Sequence, residues 1–307
     1  MNVTDGDFPA EKRPESWASK NGFAHWAMAL IWILFAFMLF QGIATLVMMA
    51  VFTATGNAQA MTTMAGMMDH LNLVFIGNSV GQIVGLGLAT LAVVGLSTAS
   101  ESRFSFIRLR WRPRTIKDVA IAVALTITIY PVVILLGYLN QLLPIPEFFT
   151  QIQESQYESI LGYLQSEGTL LLALFHVAMV PAFAEEILFR GYAQRSFEKS
   201  WGVAASVILS GVLFSFFHVQ LGNVLPLATL GMLFAALTVL TGSLWPAIFA
   251  HFANNASAVL LTRFYPDLAE STVGTETLPP WHLIILSIIV TGLLLLYLIR
   301  NYQTEAP

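Results

Sequence analysis

Two adjoining carboxylates, Glu185 and Glu186, close an apolar stretch in the run Ala184-Glu185-Glu186-Ile187-Leu188-Phe189-Arg190, in a chain of which only 10% is charged. An ionisable side chain at the centre of a bilayer costs about 2.5–3.5 kcal/mol on insertion scales, so carboxylates there face protein or water rather than lipid. On a helix, Glu186 and Arg190 are four apart with the acid first, the favoured order for an ion pair on one face. Glu185 is rotated by about 100° from its neighbour. One carboxylate can thus be held by arginine while the other is free to act as a general base toward water. The same three residues also fit a plain ion-pair cluster at a membrane edge, and the pair alone does not choose between these readings.

Two later segments add imidazoles. Phe214 and His218 share one helix face, as do His251 and Asn255, so three helices offer a glutamate, a histidine, and a histidine with an amide. His176 lies nine positions before Glu185 and projects to the opposite face, which marks it as a packing residue. His25, His70 and His282 sit near the ends of apolar segments and receive the same reading.

The three motifs Glu185-Glu186-x-x-x-Arg190, Phe214-x-x-x-His218 and His251-x-x-x-Asn255 resemble those of the CPBP family, the CAAX prenyl endopeptidases and bacteriocin-processing proteins, also called Abi. The context agrees: Phe189-Arg190-Gly191 follows the glutamates, Trp201-Gly202 opens the next helix, and Thr241-Gly242-Ser243-Leu244-Trp245-Pro246 precedes the second histidine. The resemblance covers roughly residues 181–257. It implies an intramembrane endopeptidase in which Glu185 deprotonates a water that His218 helps to position. His251 and Asn255 would donate hydrogen bonds to the oxyanion, contacts worth roughly 3–4 kcal/mol per donor. Glu186, Arg190 and Phe214 would support them. The implied partner is a membrane-associated protein or peptide, prenylated CAAX tails among the candidates.

The family is often described as metalloproteases, and two histidines with a glutamate are an acceptable catalytic zinc set. An amide such as Asn255 is a poor zinc ligand, however, and the His-Glu-x-x-His pattern is absent from the sequence. The leading expectation is therefore glutamate–water chemistry with no cofactor, with zinc as the alternative.

The elements that must position these groups are membrane helices. The chain has 307 residues, 56% of them hydrophobic, beyond what a soluble domain can cover with polar surface. Runs long enough to cross about 30 Å of hydrocarbon fall at roughly 23–52, 72–97, 118–139, 168–189, 201–221, 224–242, 244–262 and 281–299. These eight expected spans define an all-α polytopic bundle with an active-site cavity inside it. The expected organisation is a polar tail over 1–22 and one transmembrane domain over 23–300, with the catalytic core at about 168–262. The first run is about twice as long as the 7–15 residues of a signal-peptide core, which predicts a retained helix.

Alternate crossings place Lys12, Arg13, Lys20, Arg103, Arg108, Arg110, Arg112, Arg114, Lys117, Arg190, Arg195, Lys199 and Arg300 on one side and Arg263 alone on the other. That asymmetry predicts both termini in the cytoplasm. A net charge of −4 argues against nucleic acid as a partner; the lipid bilayer is the expected one, and the Arg-rich loop 103–117 reads as a topology signal. Without a single cysteine, thiolate catalysis, cysteine-ligated metal and disulfides are excluded. Before residue 140 intramembrane polar groups are few, and Gly77, Gly81, Gly85 and Gly87 suit close helix packing. Residues 141–167, with Pro144, Pro146, Glu147, Glu154, Glu158 and several aromatics, read as an amphipathic connector at the outer surface.

Two readings from other classes remain open in the sequence. One is a proton-coupled transporter component using membrane Glu and His residues as a relay, although no internal repeat is visible. The other is a non-catalytic scaffold or immunity protein with a buried polar network.

Overall fold

The computed structural model describes residues 16–98, 103–165, 168–267 and 278–303. Lys12 and Arg13 of the charged tail, like the rest of residues 1–15, lie outside them. The fold is an all-α polytopic membrane bundle, with no strand among the described residues.

In chain order the principal helices are α1 (His25–Ala54), α2 (Leu71–Ser97), α3 (Thr115–Thr128), α4 (Tyr130–Gln141), α5 (Glu147–Gln165), α6 (Leu170–Phe217), α7 (Val224–Thr241), α8 (Trp245–Phe264) and α9 (Trp281–Gln303). All eight expected runs fall on helix. By length and apolar character, α1, α2, α6, the segment Leu221–Thr241 and the last helix can each cross a membrane, and α3 with α4 makes a sixth crossing if the 44° bend between them lies within one span. α6 holds two of the expected runs. Its 48 residues would extend about 72 Å at 1.5 Å per residue, more than twice the hydrocarbon thickness. It breaks at Gly202, whose φ of 81° and ψ of 177° are essentially reserved for glycine. The two arms of α6 can therefore fold against each other. α8 is less apolar because it carries His251, Asn254 and Asn255, and it is held among other helices: α3, α7 and the first arm of α6 all pack on it.

α1 and α2 pack as a close pair because α2 presents small residues to α1. A Cβ at Gly77 would come within 2.6 Å of the Ala44 carbonyl oxygen, and one at Gly81 within 2.7 Å of that of Phe40. Such approach gives van der Waals attraction where lipid and leucine offer no hydrophobic difference. The second arm of α6 crosses α7 in the same manner at Gly211 and Gly231, where an added Cβ on Gly231 would lie 2.8 Å from the Gly211 Cα.

The polar stretch 190–200 continues as helix beyond the apolar run. Ile107 and Phe106 of the Arg-rich loop pack with Tyr192, Ala193 and Phe197 in one fully buried cluster. Around it Glu198 is paired with Arg108 at 2.9 Å and with Arg195 at 3.0 Å, and Ser243 Oγ donates to the Arg110 carbonyl. The loop thus clamps the turn between the arms of α6 to the start of α8. On the opposite side α5 is anchored by Tyr163, which is buried and lies 4.5 Å from the Phe75 ring, and by Arg263 of α8, which donates to the Gln165 carbonyl. Phe148 stays exposed, so α5 is amphipathic.

Candidate active site

The segment that carries Glu185 and Glu186 is not uniform α-helix. Within α6, Leu174–Met179 and Ile187–Ala193 are π-helical and flank the α-helical turn Val180–Glu186, while Gln82–Leu88 is π-helical in the facing helix α2. A π turn widens the helix, shifts side-chain register and loosens a carbonyl from its helical partner; such turns are frequent at functional sites. Two of the loosened regions are met by side chains from elsewhere, one on α8 and one on the second arm of α6. Asn255 Nδ2 donates to the Val177 carbonyl at 3.1 Å, and Ser210 Oγ to the Phe189 carbonyl at 3.4 Å.

Arg190 is the fixed point of the site. It is fully buried, donating from Nη1 to Glu186 Oε1 at 2.8 Å and from Nη2 to the Gly231 carbonyl at 2.9 Å. Its guanidinium lies over the Phe214 ring, with Cζ 4.3 Å from the centroid, and within 5.4 Å of Phe234. A buried charge survives only when paired and hydrogen-bonded, and the aromatic faces add a cation–π contribution. Phe214 is therefore a seat for the arginine. Glu186 Oε1 also meets His251 Nδ1 at 2.9 Å, and the His251 ring stacks on Phe234 at 5.3 Å.

Glu185 is buried but has no such anchor: its Oε2 has no hydrogen-bond partner among the described residues. The nearest opposite group is His218 Nε2, at 3.8 Å. The other ring nitrogen of His218, Nδ1, stands 2.8 Å from the Phe214 carbonyl oxygen. A carbonyl only accepts, so Nδ1 carries a hydrogen and the neutral imidazole turns a bare Nε2 toward Glu185. Two acceptors facing each other across 3.8 Å match a single water donating one hydrogen to each.

Glu185, Glu186, Arg190, Phe214, His218 and His251 are thus brought together. Asn255, one turn after His251 on α8, gives one amide hydrogen to the Val177 carbonyl at 3.1 Å, and its oxygen accepts from Asn254 Nδ2 at 3.1 Å; the second amide hydrogen remains. His176 turns away to Ser79, 2.6 Å from its Oγ, and His25, His70 and His282 take no part in the cluster. Sequence reasoning missed Phe234, the Gly231 carbonyl and Ser210. Only Gly231 left a trace in the sequence, as a small residue on a helix that a side chain must approach.

The set does not suit a metal: among the described residues no group of three or more His, Asp or Glu side chains is placed to hold one. Glu186 Oε1 is already shared by Arg190 and His251, which ties up that carboxylate oxygen, while His251 keeps its Nε2. Zinc would need three such ligands converging on one point.

Comparison with known proteins bears on this cluster directly. Residues 167–257 match the family model of the Rce1-like type II CAAX prenyl endopeptidases. The matched segment holds all the residues of the cluster and is under a third of the chain. The match agrees with the resemblance carried by the three motifs and supports, at family level, a CAAX-protease-like intramembrane peptidase. Neither the curated proteins nor the solved structures gave a match.

Proposed function

We propose that this protein is an intramembrane endopeptidase that hydrolyses peptide bonds of membrane-associated proteins or peptides with a water activated by Glu185. The observation that carries the reading is the unanchored Glu185 carboxylate facing the bare Nε2 of His218 at 3.8 Å, beside a carboxylate, Glu186, whose Oε1 is held by both Arg190 and His251. A water about 2.8 Å from each acceptor would be oriented with its oxygen lone pair outward, toward a substrate carbonyl. Glu185 takes the proton as the water oxygen bonds to carbon. As the C–N bond breaks, the same carboxyl returns that proton to the leaving amine, so that a carboxylic acid and an amine are released.

Two donors border this space. Asn255 offers its remaining amide hydrogen. His251 bonds Glu186 through Nδ1, so its Nε2 donates to an oxyanion only when the ring is doubly protonated. Arg190 holds Glu186, and through it His251. No step uses a metal, and the donor arrangement gives zinc no three-ligand seat.

The distribution of lysine and arginine over eight crossings supports a cytoplasmic location for both termini. The substrates considered are prenylated CAAX tails, bacteriocin leaders and peptide precursors. The test is to incubate the purified protein in liposomes with farnesylated CAAX peptides and membrane-protein tails and to follow the products by mass spectrometry. Cleavage at one defined bond supports the reading; intact peptides throughout, with a folded protein, would return the chain to the transporter or scaffold classes.

A further inference from the structure

Gln82 of α2 is a buried polar group that the proposed chemistry does not use. Only 8% of it is exposed, and its Oε1 has no hydrogen-bond partner among the described residues. Its Nε2 donates to Asn78 Oδ1 at 2.7 Å, one helical turn earlier on α2, and Oε1 is the end left over. A buried acceptor held without a donor is unfavourable and in a folded protein calls for a reason. Gln82 also opens the π-helical stretch Gln82–Leu88, the one that faces the catalytic arm.

Its position can be read from its neighbours. Gly77, Gly81 and Gly85 face α1, where they meet Ala44 and Phe40. Ser79 faces α6, where it meets His176. On the helix Gln82 falls between those two faces, in the wedge closed by α1, α2 and the arms of α6. That wedge lies next to the Glu185–His218 pair: Leu86, one turn after Gln82, lies in the buried cluster that also holds Ala184, the residue before Glu185, and Phe214, one turn before His218. The level follows from two contacts. Ser79 is beside His176, and a Cβ on Gly87 would lie 3.9 Å from the Ala184 Cα, so the two helices run parallel with matched rise. Gln82 then stands level with residue 179, six residues or about 9 Å along the axis from Glu185.

We infer that Gln82 Oε1 accepts a hydrogen bond from a substrate backbone N–H about two to three residues from the scissile bond. An extended peptide advances about 3.3 Å per residue, which spans the distance from Glu185 to the level of Gln82 in that number of residues. A membrane-embedded substrate must unwind to be cut, and each unwound N–H then needs an acceptor that lipid cannot give. Gln82 supplies one. It is a specificity-determining residue that reads the main chain, not the side chain, and the inference rests on the endopeptidase reading.

The test is an N-methyl scan. A peptide cut by the wild-type protein is resynthesised with single backbone N-methyl groups at each of three residues on either side of the scissile bond. In the wild type, one methylation two or three residues away should lower kcat/KM roughly tenfold. In Gln82→Met, which keeps the length but not the acceptor, that same methylation should change kcat/KM by less than about twofold relative to the parent peptide, as a double-mutant cycle requires. Gln82→Glu, which keeps an acceptor, should retain the sensitivity. Thermal unfolding confirms that each variant is folded. A wild-type profile flat at all those positions, or one unchanged in a folded Gln82→Met, overturns the inference while leaving the endopeptidase in place. If the wild type cleaves nothing, the endopeptidase reading itself fails and this inference falls with it.

Discussion

His251 Nδ1 lies 2.9 Å from Glu186 Oε1, the same oxygen that takes the Arg190 guanidinium at 2.8 Å. Of two adjoining carboxylates, one is therefore the hub of a buried network that ties α6 to α8, and the other is left to face a histidine. Division of labour between chemically identical neighbours follows from the roughly 100° that separates consecutive helix positions.

Breaking the hub should unfold rather than merely inactivate. Arg190→Met leaves the Glu186 charge in a fully buried site, and we expect a loss of about 3–5 kcal/mol. The double variant Arg190→Met with Glu186→Gln should lose clearly less than the sum of the two single changes, because the stranded charge is gone. Denaturant unfolding in detergent of the three variants checks this; additive losses would count against a coupled network.

His218→Ala should remove the water's second acceptor without disturbing the hub. His218 is partly exposed, and its link to the fold is a bond to its own helix, the Phe214 carbonyl at 2.8 Å. We expect kcat to fall by about 10²- to 10⁴-fold with little change in unfolding temperature. A variant that loses both together would mark His218 as a structural residue.

Gly202→Ala tests the bend that lets one helix supply both Glu185 and His218. With φ at 81° and ψ at 177°, alanine is strained there by about 1–3 kcal/mol whatever the space around it. Destabilisation of that size, read by thermal unfolding, is the expected outcome. An unchanged transition would mean that the arms of α6 do not need this backbone.

A strong chelator should leave the cleavage rate unchanged, and added zinc should not raise it, since no three ligands converge. Loss of activity on chelation, restored by zinc, would require His218, His251 and Glu185 to regroup around a metal.

Much of the site could be read in the sequence because it depends on short helical spacings. Glu186 with Arg190, and Phe214 with His218, are each four residues apart, and both meet as that spacing dictates. The apolar runs likewise all became helix. What could not be read was produced by tertiary packing. The π turns at Leu174–Met179 and Ile187–Ala193 have no marker in residue type, so the capture of the Val177 carbonyl by Asn255 was invisible. Phe214 was expected as a supporting residue without a reason; its ring is the seat of Arg190, a relation set by the crossing of the α6 arms. Runs 168–189 and 201–221 were expected as separate spans and fall on the two arms of α6, but the polar stretch between them stays helical up to the break at Gly202. The hydrophobic pattern reports where lipid ends, not where a helix does.

The central claim is that Glu185 activates the hydrolytic water, and the most direct test is Glu185→Gln. The amide is isosteric and preserves packing, but it cannot take a proton. Single-turnover cleavage of a peptide cut by the wild type should drop by at least about 10²-fold in a protein with an unchanged unfolding transition. A folded Glu185→Gln protein that cleaves at the wild-type rate would contradict the account.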